Sequence, residues 1–557
     1  MLAVSASFSA PQDRGLLAHH VAGTVERRYQ TDANARPSEE ADDVGQVVHR
    51  RPASMIPVSG ENAGVPYGAF ETTPLLSTPV PCVLKAASYT SSGARAAVRD
   101  EMKVLLRYSL PVFGTHLFEH SIMMATVISI GHISTVALAA ATLGFMTANV
   151  TGLSILQGMA NTLDTVLPPA WTSDQPKLVG LWTQRMTILV CVVLIPVLAL
   201  WLHAEPLLLG LNQDPEIARL ASIYLKWASL GLPAYAFNCV SRRYFQSQGL
   251  FTVPTRIILY LAPINIFLNY LLVWGPEPFC LGFIGAPIAA SISYNFVAIA
   301  FVVYGAFFVP RTAWHPITLR AFTNLGYLAK LSIGGIGQLA SSWWSWELVG
   351  LVASFLGPVP LATQSVLITT SSSFFQAPYA LGIATSVRIG NLLGERDVER
   401  AKTVVRASFL LIIVLATLFS SVLITFRRSW GYLFNDDPEV VNLVAAVLPL
   451  VALVQIFDDA GAVVAGILRA RGKQVLGATL NISAYYVIGL PIGLWLTFKR
   501  DFGLFGLWWG LNIAMAYASS IGLYICLTTD WDKEVEKVVA RLAVDKGYQP
   551  VDEEHAH

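Results

Sequence analysis

Residues 331–350 read LSIGGIGQLASSWWSWELVG, twenty positions with one charge, Glu347. An α-helix rises 1.5 Å per residue and the hydrocarbon of a bilayer is about 30 Å thick, so about 20 apolar residues cross it. The stretch is long enough to be a membrane span. Its apolar flanks extend the run to about 328–356, which leaves the glutamate where no water is expected.

The surrounding chain has the same character. Its 557 residues are 54% hydrophobic and 13% charged, with mean hydropathy +0.55; soluble proteins carry about 25% charged residues. Eleven further apolar segments lie near 105–130, 135–160, 186–206, 220–240, 254–275, 281–309, 361–387, 403–426, 440–467, 476–497 and 503–527. The fold class is therefore an all-α polytopic membrane protein with twelve transmembrane helices. Pro111, Pro196, Pro233, Pro263, Pro378 and Pro491 pierce the spans, as in transporters whose helices bend. A net charge of +1 without an evident basic stripe argues against nucleic acid as a partner. The five cysteines, Cys82, Cys191, Cys239, Cys280 and Cys526, have no metal spacing, and four lie in or beside apolar segments, so no disulfide framework is expected.

Residues 1–100 are polar and mixed, without the apolar core of a secretory signal, and read as a disordered tail. Within them Glu71-Thr-Thr-Pro-Leu75-Leu76 fits an acidic dileucine, the pattern of adaptor-read vacuolar sorting signals. A sorting adaptor is thus an expected partner, and the vacuolar or the plasma membrane the expected location.

Lysines and arginines set the orientation. With the tail inside, inner loops collect Lys177, Arg185, Arg242, Arg243, Arg256, Arg311, Arg320, Arg388, Arg396, Arg400, Lys402, Arg469, Arg471 and Lys473, whereas the opposite loops hold only Arg219, Arg427, Arg428, Lys499 and Arg500. Both termini then face the cytoplasm. Beyond the last span, WDKEVEKVVARLAV alternates acid and base at helical spacing and predicts a short helix.

The chain also echoes itself. YSLPVFG (108–114) aligns with the first seven residues quoted above at an offset of 223, matching Ser109 with Ser332 and Gly114 with Gly337. Arg243, placed in a loop after the fourth span, answers Arg469, placed after the tenth, at an offset of 226. Six spans per half give both copies one orientation, so two pseudo-symmetric six-helix bundles with a cavity between them are predicted. The divisions are a tail (1–100), an N-lobe (101–310), an inter-lobe linker (311–327), a C-lobe (328–528) and a cytoplasmic C-terminal segment (529–557).

Four carboxylates lie deep in the spans: Glu119, Glu347, Asp458 and Asp459. Each costs about 2.5–3.5 kcal/mol at the bilayer centre even on the lenient insertion scale, and such groups mark ion or substrate paths. Trp343 lies one turn before Glu347 on the same face and Trp346 adjoins it. Indole faces attract cations by about 0.5–2 kcal/mol when water is excluded, so this neighbourhood suits a lipophilic organic cation; packing or an interfacial belt is the plain alternative for the tryptophans. Asp458 and Asp459 stand about 100° apart on their helix, so one faces the cavity and the other a neighbour. Glu119 sits in HLFEH between His116 and His120. The string matches a zinc-hydrolase pattern, but no second carboxylate ligand can be placed, so a proton relay or a structural cluster is the reading there and no metal is expected.

Burial lifts a carboxyl pKa by up to about 3–5 units, enough for proton exchange near neutrality. A bound proton removes the charge that holds a cation. Proton and cargo then compete, and a site facing each side in turn becomes an antiporter.

Four runs resemble the multidrug and toxin extrusion (MATE) family, in its eukaryotic, fungal-looking form: QGMANTLDTVLPPAW (157–171), RRYFQSQG (242–249), SVRIGNLLGE (386–395), and GILRARGKQVLGATLN with YYVIGLPIGL (466–494). The resemblance covers about residues 101–530. It implies cation-driven export of organic cations, drugs or metabolites by a protein that is not an enzyme, needs no cofactor and works as a monomer. It also implies that Glu347 and Asp458 bind protons and cationic substrate. Where relatives carry Cys-Gly-Gln or Cys-Pro-Gln, this chain has Leu167, Pro168 and Pro169. Na⁺ stays open as the coupling ion, as does a vacuolar metabolite transporter. A lipid or oligosaccharide flippase should instead line its cavity with cations, and an intramembrane metalloenzyme would rest on HLFEH.

Overall fold

A computed structural model describes residues 91–211 and 213–546. Cys82 and the Glu71, Leu75 and Leu76 motif lie outside the described residues.

Among the described residues twelve spans follow in order. The first is Ser91–Gly131, the second Val136–Thr172, the third Leu178–Leu202, and the fourth the pair Pro215–Ala228 and Leu232–Ser247. The fifth and sixth are Thr252–Trp274 and Gly285–Phe307, and after two short 3₁₀ turns the seventh and eighth are Leu325–Ser354 and Pro358–Glu395. Val398–Thr425, Pro438–Ala470, Gln474–Lys499 and Leu504–Leu527 complete the set, and Trp531–Lys546 is a final helix outside it. The second and eleventh spans each contain a π turn, at Asn149–Leu153 and Ser483–Gly489.

Several helices outrun their apolar segments. The first opens at Ser91, ten residues inside the stretch read as tail, and the second runs to Thr172 through Pro168 and Pro169. Arginine is a good helix former, so a charge does not end a helix as it ends a hydropathy window. Consequently Arg185, Arg242, Arg243, Arg388 and Arg469, expected in loops, are helical, and all but Arg388 are classed as buried.

The repeat is written in matching contacts. A Cβ on Gly114 would meet Thr255 at 3.2 Å, and one on Gly337 would meet Ala478 at 3.0 Å; both residue pairs are 223 positions apart. Asp214 and Asp437, again 223 apart, cap the first helix of the fourth span and the tenth span by accepting from the amides two residues on, each followed by Pro at the first helical turn. In the N-lobe the Trp201 indole donates to Thr151 Oγ1 at 2.9 Å; in the C-lobe Trp430 does the same to Thr370 Oγ1 at 2.9 Å.

Each lobe has its own apolar core. One gathers Leu156, Leu163, Leu181, Met186 and Trp201, the other Leu367, Val447, Val451, Trp508 and Leu511. The lobes meet where the first span packs on the eighth and the second on the seventh. Small residues allow the second contact: a Cβ on Gly158 would stand 2.7 Å from the Ile336 backbone, and one on Gly335 would stand 2.5 Å from Thr162.

At the arginine-rich end the lobes are tied by polar contacts. Glu101 accepts two bonds of 2.8 Å from Arg388 and further ones from Arg400 at 2.9 and 3.1 Å. Thr172 donates to the Asn391 carbonyl at 2.7 Å, and Thr165 to the Arg469 carbonyl at 2.6 Å. The final helix crosses this seam. Its buried Glu534 pairs with Arg471 at 3.3 Å and Lys473 at 3.7 Å, Arg541 donates to the Thr165 carbonyl at 3.1 Å, and Leu542 packs against apolar clusters of both lobes.

Candidate functional site

The deep acids separate into two kinds. In the N-lobe every one is matched by a base. Glu119 is bonded by both terminal nitrogens of Arg242, one of them at 3.2 Å, and has His116 Nδ1 at 3.4 Å. His116 in turn rests its edge on Tyr379 of the eighth span, with ring centres 5.2 Å apart. HLFEH is thus one side of an ion-pair cluster, and among the described residues no group of three or more His, Cys, Asp or Glu could hold a metal. Asp164, which the sequence reading passed over, lies between Arg243 and Arg469, each 3.5 Å from a different carboxylate oxygen. It is fully enclosed, 2% exposed.

The C-lobe acids lack such partners: among the described residues no ion pair joins Glu347, Asp458 or Asp459 to a lysine or arginine. Glu347 is half-buried on the seventh span, and its polar neighbour is the Asn149 side chain across the lobe boundary, in the π turn of the second span. Trp343 and Trp346 are partly buried, and Trp346 leans on Trp508 with ring centres 5.9 Å apart, so that indole belongs to the packing of the lobe. Asp459 is fully buried and accepts a bond from Gln455, one turn earlier; Asp458 is the partly exposed member of the pair. The phenol of Tyr485, in the π turn of the eleventh span, sits 3.4 Å from Ser342 Oγ and within electrostatic reach of Asp458. Tyr485 thereby ties the eleventh span to the helix bearing Glu347.

Local sequence explains the difference. The N-lobe acids lie within reach of arginines at the ends of the fourth and tenth spans. The C-lobe acids sit among Trp, Tyr, Ser, Gly and Ala, which offer no cation.

A family model described as MatE matches twice, over residues 111–271 and 335–495. The chain belongs to the MATE family. The two matched stretches are the two lobes of the MATE repeat, less their sixth spans. Among its relatives is "Uncharacterized transporter C4B3.13" of Schizosaccharomyces pombe, 34% identical and covering 89% of this chain and 92% of that protein. Another is human "Multidrug and toxin extrusion protein 1", 30% identical over 79% of this chain and 77% of that protein. The crystal structure of the eukaryotic MATE transporter AtDTX14 superposes with a TM-score of 0.76 at 27% identity, covering 80% of this chain and all of that one. The protein is accordingly a multi-pass MATE extrusion transporter and not an enzyme.

Proposed function

We propose that this transporter exports lipophilic organic cations, drugs or toxic metabolites from the cytoplasm in exchange for protons, with Glu347 and Asp458 as the acids that hold either proton or cargo. One observation carries the reading. Of the deep carboxylates, Glu119 and Asp164 are neutralised by arginine, whereas among the described residues Glu347, Asp458 and Asp459 are paired with no lysine or arginine, and of these three only Glu347 and Asp458 are partly exposed. An unpaired carboxylate in a low-dielectric site takes up a proton or a cationic guest.

Trp343 supplies a ring face for the guest. Asp459 and Glu119 support the helices around them. The acidity of the C-lobe opposes a flippase carrying pyrophosphate, which requires cations in the cavity. With the arginine-rich end on the cytoplasmic side, the tied seam there closes the lobes toward the cytoplasm, the state in which a site can exchange with the far side. The human relative's name, multidrug and toxin extrusion, fits this direction.

The deciding experiment uses purified protein in liposomes loaded with a cationic dye. An imposed pH gradient should drive dye across the membrane, and Glu347→Gln should stop it while the protein folds normally. A Na⁺ gradient that drives the dye at uniform pH would transfer the coupling to Na⁺. Movement of anionic but not cationic compounds would end the cation reading. The vacuolar location rests on Leu75 and Leu76: replacing both with alanine should send a fluorescent fusion to the cell surface, and an unchanged location leaves the motif without a role.

A further inference from the structure

The first helix begins well ahead of the membrane and carries Arg95, Arg99, Lys103 and Arg107, one every fourth residue. Read as a string, these cations are diluted by Ala, Val, Asp and Glu. Helical winding collects them. Each step of four residues turns 400°, so the four span an arc of about 120° on one side. All four are exposed, and among the described residues Lys103 is the one of the four with an ion pair, to Asp100 at 3.3 Å. The opposite side carries Val98, Glu101, Met102, Leu105 and Tyr108, packed on the C-lobe helices.

The charged stripe runs directly into an apolar one. Leu106, Leu110 and Leu117 continue it along the helix and are 44%, 63% and 51% exposed, the surface that meets lipid tails. Arg107 therefore stands at the edge of the hydrocarbon, and Lys103, Arg99 and Arg95 stand about 6, 12 and 18 Å farther out along the axis. Long basic side chains reach back toward an interface, and the field of an anionic leaflet decays within about 8–10 Å.

We propose that this face is a docking surface for the anionic headgroups of phospholipids in the leaflet at the arginine-rich end. Charge complementarity and continuity with the lipid-facing stripe identify the occupant. Because Glu101 on the inner side of the same turns ties the N-lobe to Arg388 and Arg400, headgroups that grip the outer side also brace the seam between lobes.

The test compares spin-labelled phosphatidylserine with spin-labelled phosphatidylcholine at the full-length protein reconstituted in phosphatidylcholine, a measurement independent of transport. The protein should prefer phosphatidylserine, and R95Q/R99Q/K103Q/R107Q should abolish that preference. Glutamine is a good helix former, so the fold should persist, which the thermal midpoint verifies. Single changes should be graded: roughly fivefold for Arg107→Gln and Lys103→Gln, less for Arg99→Gln and least for Arg95→Gln. Arg427→Gln with Arg428→Gln, at the far end, should leave the preference intact. The proposal fails if the quadruple variant keeps its preference, or if Arg95 matters as much as Arg107, which would break the dependence on distance from the leaflet. It fails equally if inorganic phosphate competes as well as the lipid.

Discussion

Arg243 and Arg469 occupy corresponding places in the two halves of the chain, and both close on one carboxylate, each 3.5 Å from its own oxygen of Asp164. The repeat supplies two arginines but a single acid; the position answering Asp164 in the C-lobe stretch SVRIGN carries no carboxylate. An internal duplication has thereby become an asymmetric tie between lobes.

Removing that acid should be costly. Asp164→Asn would leave two guanidinium groups enclosed together without a counter-charge, and loss of one partner from a buried pair costs about 3–5 kcal/mol. The expected result is a markedly lower thermal midpoint in detergent, which Arg243→Gln in the same chain should partly restore. An unshifted midpoint would remove the tie from the stability of the fold.

The adjacent aspartates should behave unequally. Asp458→Asn should abolish proton-driven dye movement as Glu347→Gln does. Asp459→Asn should retain measurable movement, because an amide can still be bonded by Gln455 in its enclosed place. Equal loss in both variants would show that Asp459 also takes part in exchange.

Trp343 is expected to act on affinity more than on turnover. Its ring face contributes about 0.5–2 kcal/mol to a desolvated cation, so Trp343→Ala should raise the KM for cationic dyes by about twofold to thirtyfold. Trp343→Phe should recover part of that loss. Trp346→Ala should instead lower the melting temperature, since its indole packs on Trp508.

The two indole bonds test whether the lobes contribute to stability independently. Trp201→Phe and Trp430→Phe each remove one hydrogen bond of about 1 kcal/mol. Located in different lobes, the two losses should add within about 0.5 kcal/mol in the double variant. Strong non-additivity would mean that the two sites interact across the lobe boundary.

Much of this was readable beforehand, and the parts that were not share a cause. Span positions follow from composition, because hydrocarbon demands apolar side chains in runs of known length. Glu347 and Asp458 stood out for the same reason. The arginines did not, because a hydropathy window closes at the first charge whereas the helix continues. Nor could HLFEH reveal its partner: Arg242 lies 123 positions away on the fourth span and meets Glu119 only in the folded bundle. Asp164 lies inside a family-like run, just ahead of the prolines that depart from the family pattern. The signal available was an isolated acid in an apolar helix, combined with two arginines already known to correspond.

The helix Trp531–Lys546 is a fastener laid over the joint between the two halves, with Glu534 as its rivet on one side and Arg541 reaching to the other. A reporter protein attached just behind it would hang its full weight on that fastener. Measurements of turnover or location are therefore better made without a domain fused directly behind Lys546.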